Sequence, residues 1–143
     1  MKEAAVADSP RETLALARAA AGAVRSLNHA TLGGEGLDWP ADAYDLIGEL
    51  SLAAAGLPQL LAQVGHWLAS ALQAGRLGCD DGTDPGTAVG GARLSLSGAR
   101  ASAAALARHL GQAQHQLAAV HGVGGPAPEE GGPAPEEEGG ESS

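Results

Sequence analysis

The sequence contains no phenylalanine, and its only aromatic residues are Trp39, Tyr44 and Trp67. Alanine and leucine supply most of the hydrophobic fraction of 44%. Because alanine is the strongest helix former, and aromatic and β-branched strand formers are scarce, this composition predicts an all-α fold. Alanine side chains also bury little area, so we expect a thin core and a tendency to associate with another copy or with a partner.

The sequence has little cysteine and no pattern typical of a secretory signal peptide. Cys79 is the single cysteine, which excludes an intrachain disulfide and is typical of a reducing compartment. The first residues carry early charges and lack the apolar stretch of about 7–15 residues found in a signal peptide. We therefore expect a cytoplasmic protein.

Negative charge is concentrated at the carboxyl end. The net charge is −9, but six glutamates near that end have no basic residue among them: Glu129, Glu130, Glu136, Glu137, Glu138 and Glu141. The rest of the chain holds 11 acidic against 8 basic residues. The motif Gly-Gly-Pro-Ala-Pro-Glu-Glu, repeated from Gly124, has no large hydrophobe and predicts a disordered acidic tail over 123–143, opposite a flexible N-terminus over 1–8.

Three segments between the two ends carry apolar residues at alternating steps of four and three, the period of packed helices. Ser9-Pro10-Arg11-Glu12 is a capping signal and predicts a helix over about 9–32 that ends at two glycines. Its stripe consists of Leu16, Ala20, Ala23, Leu27 and Ala30.

The second segment begins at Asp38-Trp39-Pro40, with Asp38 as the candidate cap, and predicts a helix over about 39–76. Pro58 interrupts the segment, so we expect one kinked helix or two short ones, with the kink favoured. The stripe consists of Ala43, Ile47, Leu50, Ala54, Leu57, Leu61, Val64, Leu68 and Ala71.

The third segment follows a connection over 78–91 that is rich in turn-forming residues and predicts a helix over about 92–121. Its stripe consists of Ala92, Leu96, Ala99, Ala103, Leu106, Leu110, Ala113, Leu117 and Val120. Residues 93–97 alternate like a strand, so this helix is also compatible with a start as late as Ser97. The three segments together predict an up-down-up helical bundle over residues 9–122, in which the apolar stripes meet along one shared seam.

Residues 50–75 carry no charge, which raises the question of a membrane span. Gln59, Gln63, His66 and Ser70 nevertheless form a polar stripe opposite the apolar one. A helix in lipid gains nothing from such a stripe, whereas a half-buried helix of a bundle needs it. We expect no membrane span.

No pattern indicates a catalytic, cofactor-binding or metal-binding site. His109, His115 and His121 are spaced by six residues, which puts successive imidazoles on different sides of a helix and argues against a metal pair. Acidic neighbours raise the pKa of a thiol and argue against Cys79 as a nucleophile. We expect a non-enzymatic protein without a cofactor.

Arginines repeat along the outer sides of the first and third segments at Arg11, Arg18, Arg25, Arg93, Arg100 and Arg108. Such residues usually form a solvated face, and the overall acidity makes a nucleic-acid partner unlikely. The alternative is a nucleic-acid-associated regulator that uses these outward-facing arginines. The acids Asp38, Asp42, Asp45 and Glu49 either pair with arginines of another helix or favour the helix N-terminus.

The middle segment carries apolar residues beyond its stripe, and these, with the first tryptophan, are the candidate interaction surface: Leu46, Leu60, Trp67, Leu72 and Trp39. In so alanine-rich a chain the two tryptophans either fill the core, the favoured interpretation, or anchor an interface. The sequence thus predicts a helical protein-interaction or structural module whose partner is another copy of itself or another protein.

The alanine-, glycine-, leucine- and arginine-rich composition, as in the segment 57–68 (LPQLLAQVGHWL), resembles small uncharacterised helical proteins of high-GC actinobacteria. The resemblance is one of composition over residues 9–122. It implies a bacterial cytoplasmic protein with an accessory role, and it assigns no functional residue.

Overall fold

The computed structural model describes residues 9–124, so the predictions for residues 1–8 and for the acidic tail beyond 124 lie outside the described part. Three α-helices follow one another: α1 (Pro10–Ala30), α2 (Pro40–Gln73) and α3 (Pro85–Leu117). A short 3₁₀ turn at Leu32–Gly34 lies between α1 and α2, and residues 9–124 contain no strand. The predicted all-α fold with three helices is confirmed.

The first two helices begin where the sequence predicts, with one shift. At α1, the Ser9 hydroxyl accepts a hydrogen bond from the Glu12 N–H (3.3 Å), and the Glu12 carboxylate accepts one from the Ser9 N–H (2.8 Å). At α2 the capping residue is Trp39, not Asp38. The Asp42 carboxylate accepts from the N–H groups of Trp39 (2.8 Å) and Asp38 (3.0 Å), which satisfies the free donors of this end.

The third helix begins seven residues earlier than predicted. Asp84 accepts a hydrogen bond from the Thr87 N–H (3.0 Å), and Pro85 occupies the first helical position. The predicted connection over 78–91 therefore extends too far, because its last seven residues belong to α3. Residues 93–97, which alternate like a strand in sequence, are also part of this helix. The helix ends at Leu117, before the predicted 121, because the chain leaves helical geometry after Ala118.

The second helix is continuous through Pro58, so the alternative of two short helices is wrong. Proline has no N–H, and the carbonyl of Ala54 consequently lacks its usual helical donor four residues later. Pro58 is half-buried on the side of α2 that faces α3. Packing of the surrounding turns holds the helix together across this missing hydrogen bond.

The long helices α2 and α3 pack antiparallel along one another as a helical hairpin. The Ser51 hydroxyl donates to the carbonyl of Ala107 (3.1 Å), and the Gln114 amide donates to the carbonyl of Tyr44 (3.4 Å). Near the other end, Gly65 of α2 faces the Leu96 side chain of α3. These contacts fix the register of the α2–α3 hairpin.

The first helix departs from the predicted three-helix bundle. It makes no extended packing with α2 or α3. None of its residues is buried, and Leu16, the first residue of its predicted stripe, is 63% exposed. The bundle prediction is therefore wrong within one chain: two helices pack together and the third stands apart.

The core of the described part is as thin as the composition predicts. Its buried hydrophobic residues are Ala54, Ala71, Val89 and Ala103, all between α2 and α3. No large side chain is fully buried in residues 9–124. Larger apolar side chains instead lie partly or mostly in solvent, which determines where a functional surface is to be found.

Candidate functional site

The burial pattern shows which side of α2 faces α3. Ile47, Ala54, Leu61 and Leu68 belong to the predicted stripe and lie in the seam, half-buried or buried. Ala71, also of the stripe, is buried, and half-buried positions beside these are taken by residues outside the stripe: Tyr44, Ser51, Pro58, Gly65 and Leu72. The seam is therefore rotated about the helix axis towards the flank that carries the smaller side chains.

This rotation leaves the large apolar side chains of α2 on the other flank. Seven residues at alternating steps of four and three form this surface, here called the apolar face: Leu46, Leu50, Ala53, Leu57, Leu60, Val64 and Trp67. Leu57 is 39% exposed, Leu60 50% and Trp67 55%, whereas Leu46 and Leu50 are half-buried. A row of apolar side chains of which several are large and exposed is typical of an interaction surface.

The third helix extends the apolar face on its own side. Its seam is rotated in the same sense as that of α2, so Arg93, Ala107 and Gln114 replace predicted stripe positions at or beside the seam. In an antiparallel pair, rotations of the same sense leave the displaced residues of both helices on one side. Ala99 and the exposed Leu106 therefore border the apolar face.

The structure brings together three of the five residues predicted for the interaction surface. Leu46, Leu60 and Trp67 lie in the apolar face. Leu72 belongs to the seam with α3 and is half-buried there. Trp39 precedes α2 and lies at the far end of the hairpin, where its ring packs against the backbone of Gly122.

The favoured interpretation of the tryptophans as core residues is wrong. Trp67 is 55% exposed, and its ring is covered from one side by the guanidinium of Arg76, 5.8 Å from the ring centroid. This cation–π contact is of the kind that contributes about 0.5–1 kcal/mol at exposed sites. Trp39 is 42% exposed. Both rings are consequently available to a partner.

The predicted polar stripe of α2 is also present, on the side away from α3. Gln59, Gln63, His66 and Ser70 are all exposed. No helix within residues 9–124 is both long enough and apolar enough to cross a membrane.

The arginines do not assemble into one basic groove. Arg93 and Arg100 line an open cleft between α2 and α3, with Ala62 and Gly65 on the opposite wall. Arg108 is exposed on α3 and follows Arg100 by eight residues, about two turns. The arginines of α1 stand on a helix that packs against neither of the others.

Asp81, whose pKa is lowered, lies outside the apolar face. In the loop between α2 and α3, hydrogen bonds from the Thr83 hydroxyl (2.7 Å) and N–H (3.0 Å) lower the pKa of Asp81. His29 lies in the last turn of α1, and His121 lies beyond the end of α3. The part of the chain from 9 to 124 holds no group of three His, Cys, Asp or Glu residues placed to bind a metal ion.

Sequence reasoning assigned Leu57 and Val64 to the buried stripe and so missed them as surface residues. The signal that distinguishes the two flanks of α2 is side-chain size. Helices approach closely where small residues meet, and the flank towards α3 carries them at Gly48, Ser51, Ala62, Gly65 and Ala69. Gly48 leaves room for the side-chain amide of Gln114, which a Cβ at that position would overlap.

Comparison with known proteins adds no assignment to this geometry: no family model matches the chain, and no curated protein and no solved structure is similar to it.

Proposed function

We propose that this protein is a non-enzymatic helical interaction module that associates with itself through the apolar face of α2. The observation that carries the proposal is the contrast between the core and this face. The buried residues are three alanines and one valine, while leucines, a valine and a tryptophan lie exposed in one row.

Burial of the exposed row of apolar side chains against a partner would be favourable in free energy. Burying apolar area contributes about 25 cal/mol per Å², or about 1.5–3 kcal/mol for each Leu or Val side chain that becomes fully buried. Leu57, Leu60 and Val64 retain a large part of this free energy in the isolated chain, since each is about two-fifths to one-half exposed. Specific interfaces are organised around such apolar and aromatic anchors, and Trp67 supplies the aromatic one.

The proposal is tested by the mass of the protein in solution, measured by light scattering after size exclusion at several concentrations. We expect the wild-type chain to exceed the monomer mass of 14.0 kDa. Leu60→Asp puts a charge into the apolar face and should return the mass to that of the monomer, because an unpaired charge is costly to desolvate.

Leu52→Asp is the matched control. Leu52 is a leucine of the same helix and is 69% exposed, but it lies on the polar side beside Asp45 and Glu49. This variant should keep the mass of the wild-type protein. A wild-type chain that stays at 14.0 kDa at every concentration would contradict the proposed self-association.

A further inference from the structure

We infer that α1 of one chain docks onto the apolar face of a second copy, which docks its own α1 in return. Each α2–α3 hairpin would then become a three-helix bundle whose third helix comes from the other chain. This inference rests on the proposed self-association and identifies the element that the apolar face binds.

The first helix is an amphipathic helix without a partner in its own chain. Its apolar stripe, Leu16, Ala20, Ala23 and Leu27, is not buried by any other element. Isolated helices are marginal in water even when they are rich in alanine, because tertiary packing supplies most of their stability. A well-capped helix of 21 residues with an uncovered stripe therefore calls for a surface to pack on.

The helix α1 and the apolar face have the same overall length. At a rise of about 1.5 Å per residue, the 21 residues of α1 span about 31 Å. Leu46 and Trp67, the ends of the apolar face, are separated by the same number of residues along α2 and hence by about 31 Å. The stripe of α1 itself, from Leu16 to Leu27, spans about 17 Å, so its apolar side chains cover about half of the face.

The surfaces also match in shape. The stripe of α1 has two alanines at its centre, Ala20 and Ala23, and a leucine on either side of them, whereas the apolar face is mostly leucine, valine and tryptophan. Helices pack well where large side chains of one fit between small side chains of the other. The small-residue flank of α2 is already used by α3, so α1 offers small residues to the flank that carries the large ones.

The corner between α1 and α2 explains why a second copy is the occupant. Gly33, Gly34 and Gly36 adopt left-handed backbone conformations there, and a Cβ on Gly36 would lie 2.5 Å from the carbonyl oxygen of Ala30. Beyond this tight corner, α1 makes no extended packing with the hairpin of its own chain. Two such chains related by a two-fold axis make the same contact twice and form a closed dimer.

A charge-swap experiment on the full-length chain tests the exchange. Ala20 is the central residue of α1, and Leu57 lies at the centre of the apolar face, so the two meet whichever way α1 runs. We expect Ala20→Glu and Leu57→Lys each to raise the dimer dissociation constant by about a hundredfold or more, since each buries an unpaired charge. An equimolar mixture of the two variants should recover a dimer, because one contact pairs Glu with Lys and the other is wild-type.

Matched controls separate the contact from general effects of charge. Ala21→Glu changes the neighbouring alanine on the arginine-bearing side of α1, and Gln59→Lys adds a lysine to the polar stripe of α2. Both controls should dimerise like the wild-type chain. Circular dichroism of every variant checks that its helix content is unchanged, since Glu and Lys are both good helix formers.

Three results would overturn the inference, and they differ in what they say of the proposed function. A wild-type chain that is monomeric throughout removes both. A dimer lost with Leu57→Lys but kept with Ala20→Glu means that apolar faces pair directly, so self-association stands and the exchange of α1 does not. A monomeric wild type whose two single variants lose thermal stability, with stability restored in the double variant, means that α1 folds onto its own hairpin.

Discussion

Gly65 is a residue at which the packing of α2 on α3 can be tested by adding one methyl group. A Cβ on Gly65 would lie 3.8 Å from Leu96 Cδ1, which is ordinary van der Waals contact. Replacing glycine by alanine inside a helix also stabilises it by about 1 kcal/mol. We therefore expect Gly65→Ala to raise the free energy of unfolding by about 1 kcal/mol, measured by urea denaturation.

Gly56→Ala is the control for this substitution, because a Cβ on Gly56 would have no neighbour within 4 Å. It should show the gain in helix propensity without the new contact. A lower stability for Gly65→Ala alone would mean that the two helices lie closer together than the structure shows.

Single residues also mark the limit of what the sequence could predict about the candidate site. Spacing correctly assigned Ile47 and Leu61 to the seam, and it assigned Leu57 and Val64 there as well, although the latter pair lies in solvent. The apolar arc of α2 is wider than one stripe, so periodicity alone allows two seams. Side-chain size decides between them, because the glycines and the serine on one flank permit the close approach of α3.

At the scale of the element, Pro58 makes α2 a helix with a missing hydrogen bond in its interior. The carbonyl of Ala54 lacks its helical donor, although Ala54 is 3% exposed and has little access to water. Pro58→Ala restores that donor and a good helix former. We expect the free energy of unfolding to rise by about 1–2 kcal/mol in urea denaturation, less than the full cost of an interior proline because Pro58 also packs against α3.

Pro85→Ala gives the comparison, because Pro85 is the first residue of α3 and its missing N–H removes no helical hydrogen bond. The free energy of unfolding of this variant should be within about 0.5 kcal/mol of the wild-type value, or lower than it. A loss of stability in Pro58→Ala would show that the ring of Pro58 contributes more by packing than the restored hydrogen bond does.

The first residues of the three helices show how well local sequence predicts where a helix begins. The start at Ser9-Pro10 is predicted correctly, and the start at Pro40 is predicted with Asp38 in place of Trp39 as the cap. The sequence predicts that the equivalent Asp84-Pro85 lies in a connection rich in turn-forming residues, and three glycines follow it within seven residues. Each glycine weakens a helix by about 1 kcal/mol relative to alanine. Burial of Val89 between α2 and α3 helps to offset that cost, and such a tertiary effect is not visible in local sequence.

At the scale of the whole molecule, the described part is a two-helix hairpin and one separate helix rather than a closed bundle. Periodicity predicted three amphipathic helices correctly, because each has an apolar stripe. It could not determine which stripes meet within one chain. The stripe of α1 and the apolar face of α2 are surfaces of the kind that a bundle would bury, and the fold leaves both of them open.

The stability of this protein should increase with its concentration. If self-association covers the apolar face, the dimer is the folded species, and unfolding releases two chains. Each tenfold rise in concentration then adds about 1.4 kcal/mol to the free energy of unfolding per mole of dimer, so the urea midpoint should rise with concentration. Leu60→Asp, which prevents the association, should unfold at one midpoint at all concentrations. A wild-type midpoint equally independent of concentration would mean that the alanine core of the α2–α3 hairpin is sufficient to hold the fold by itself.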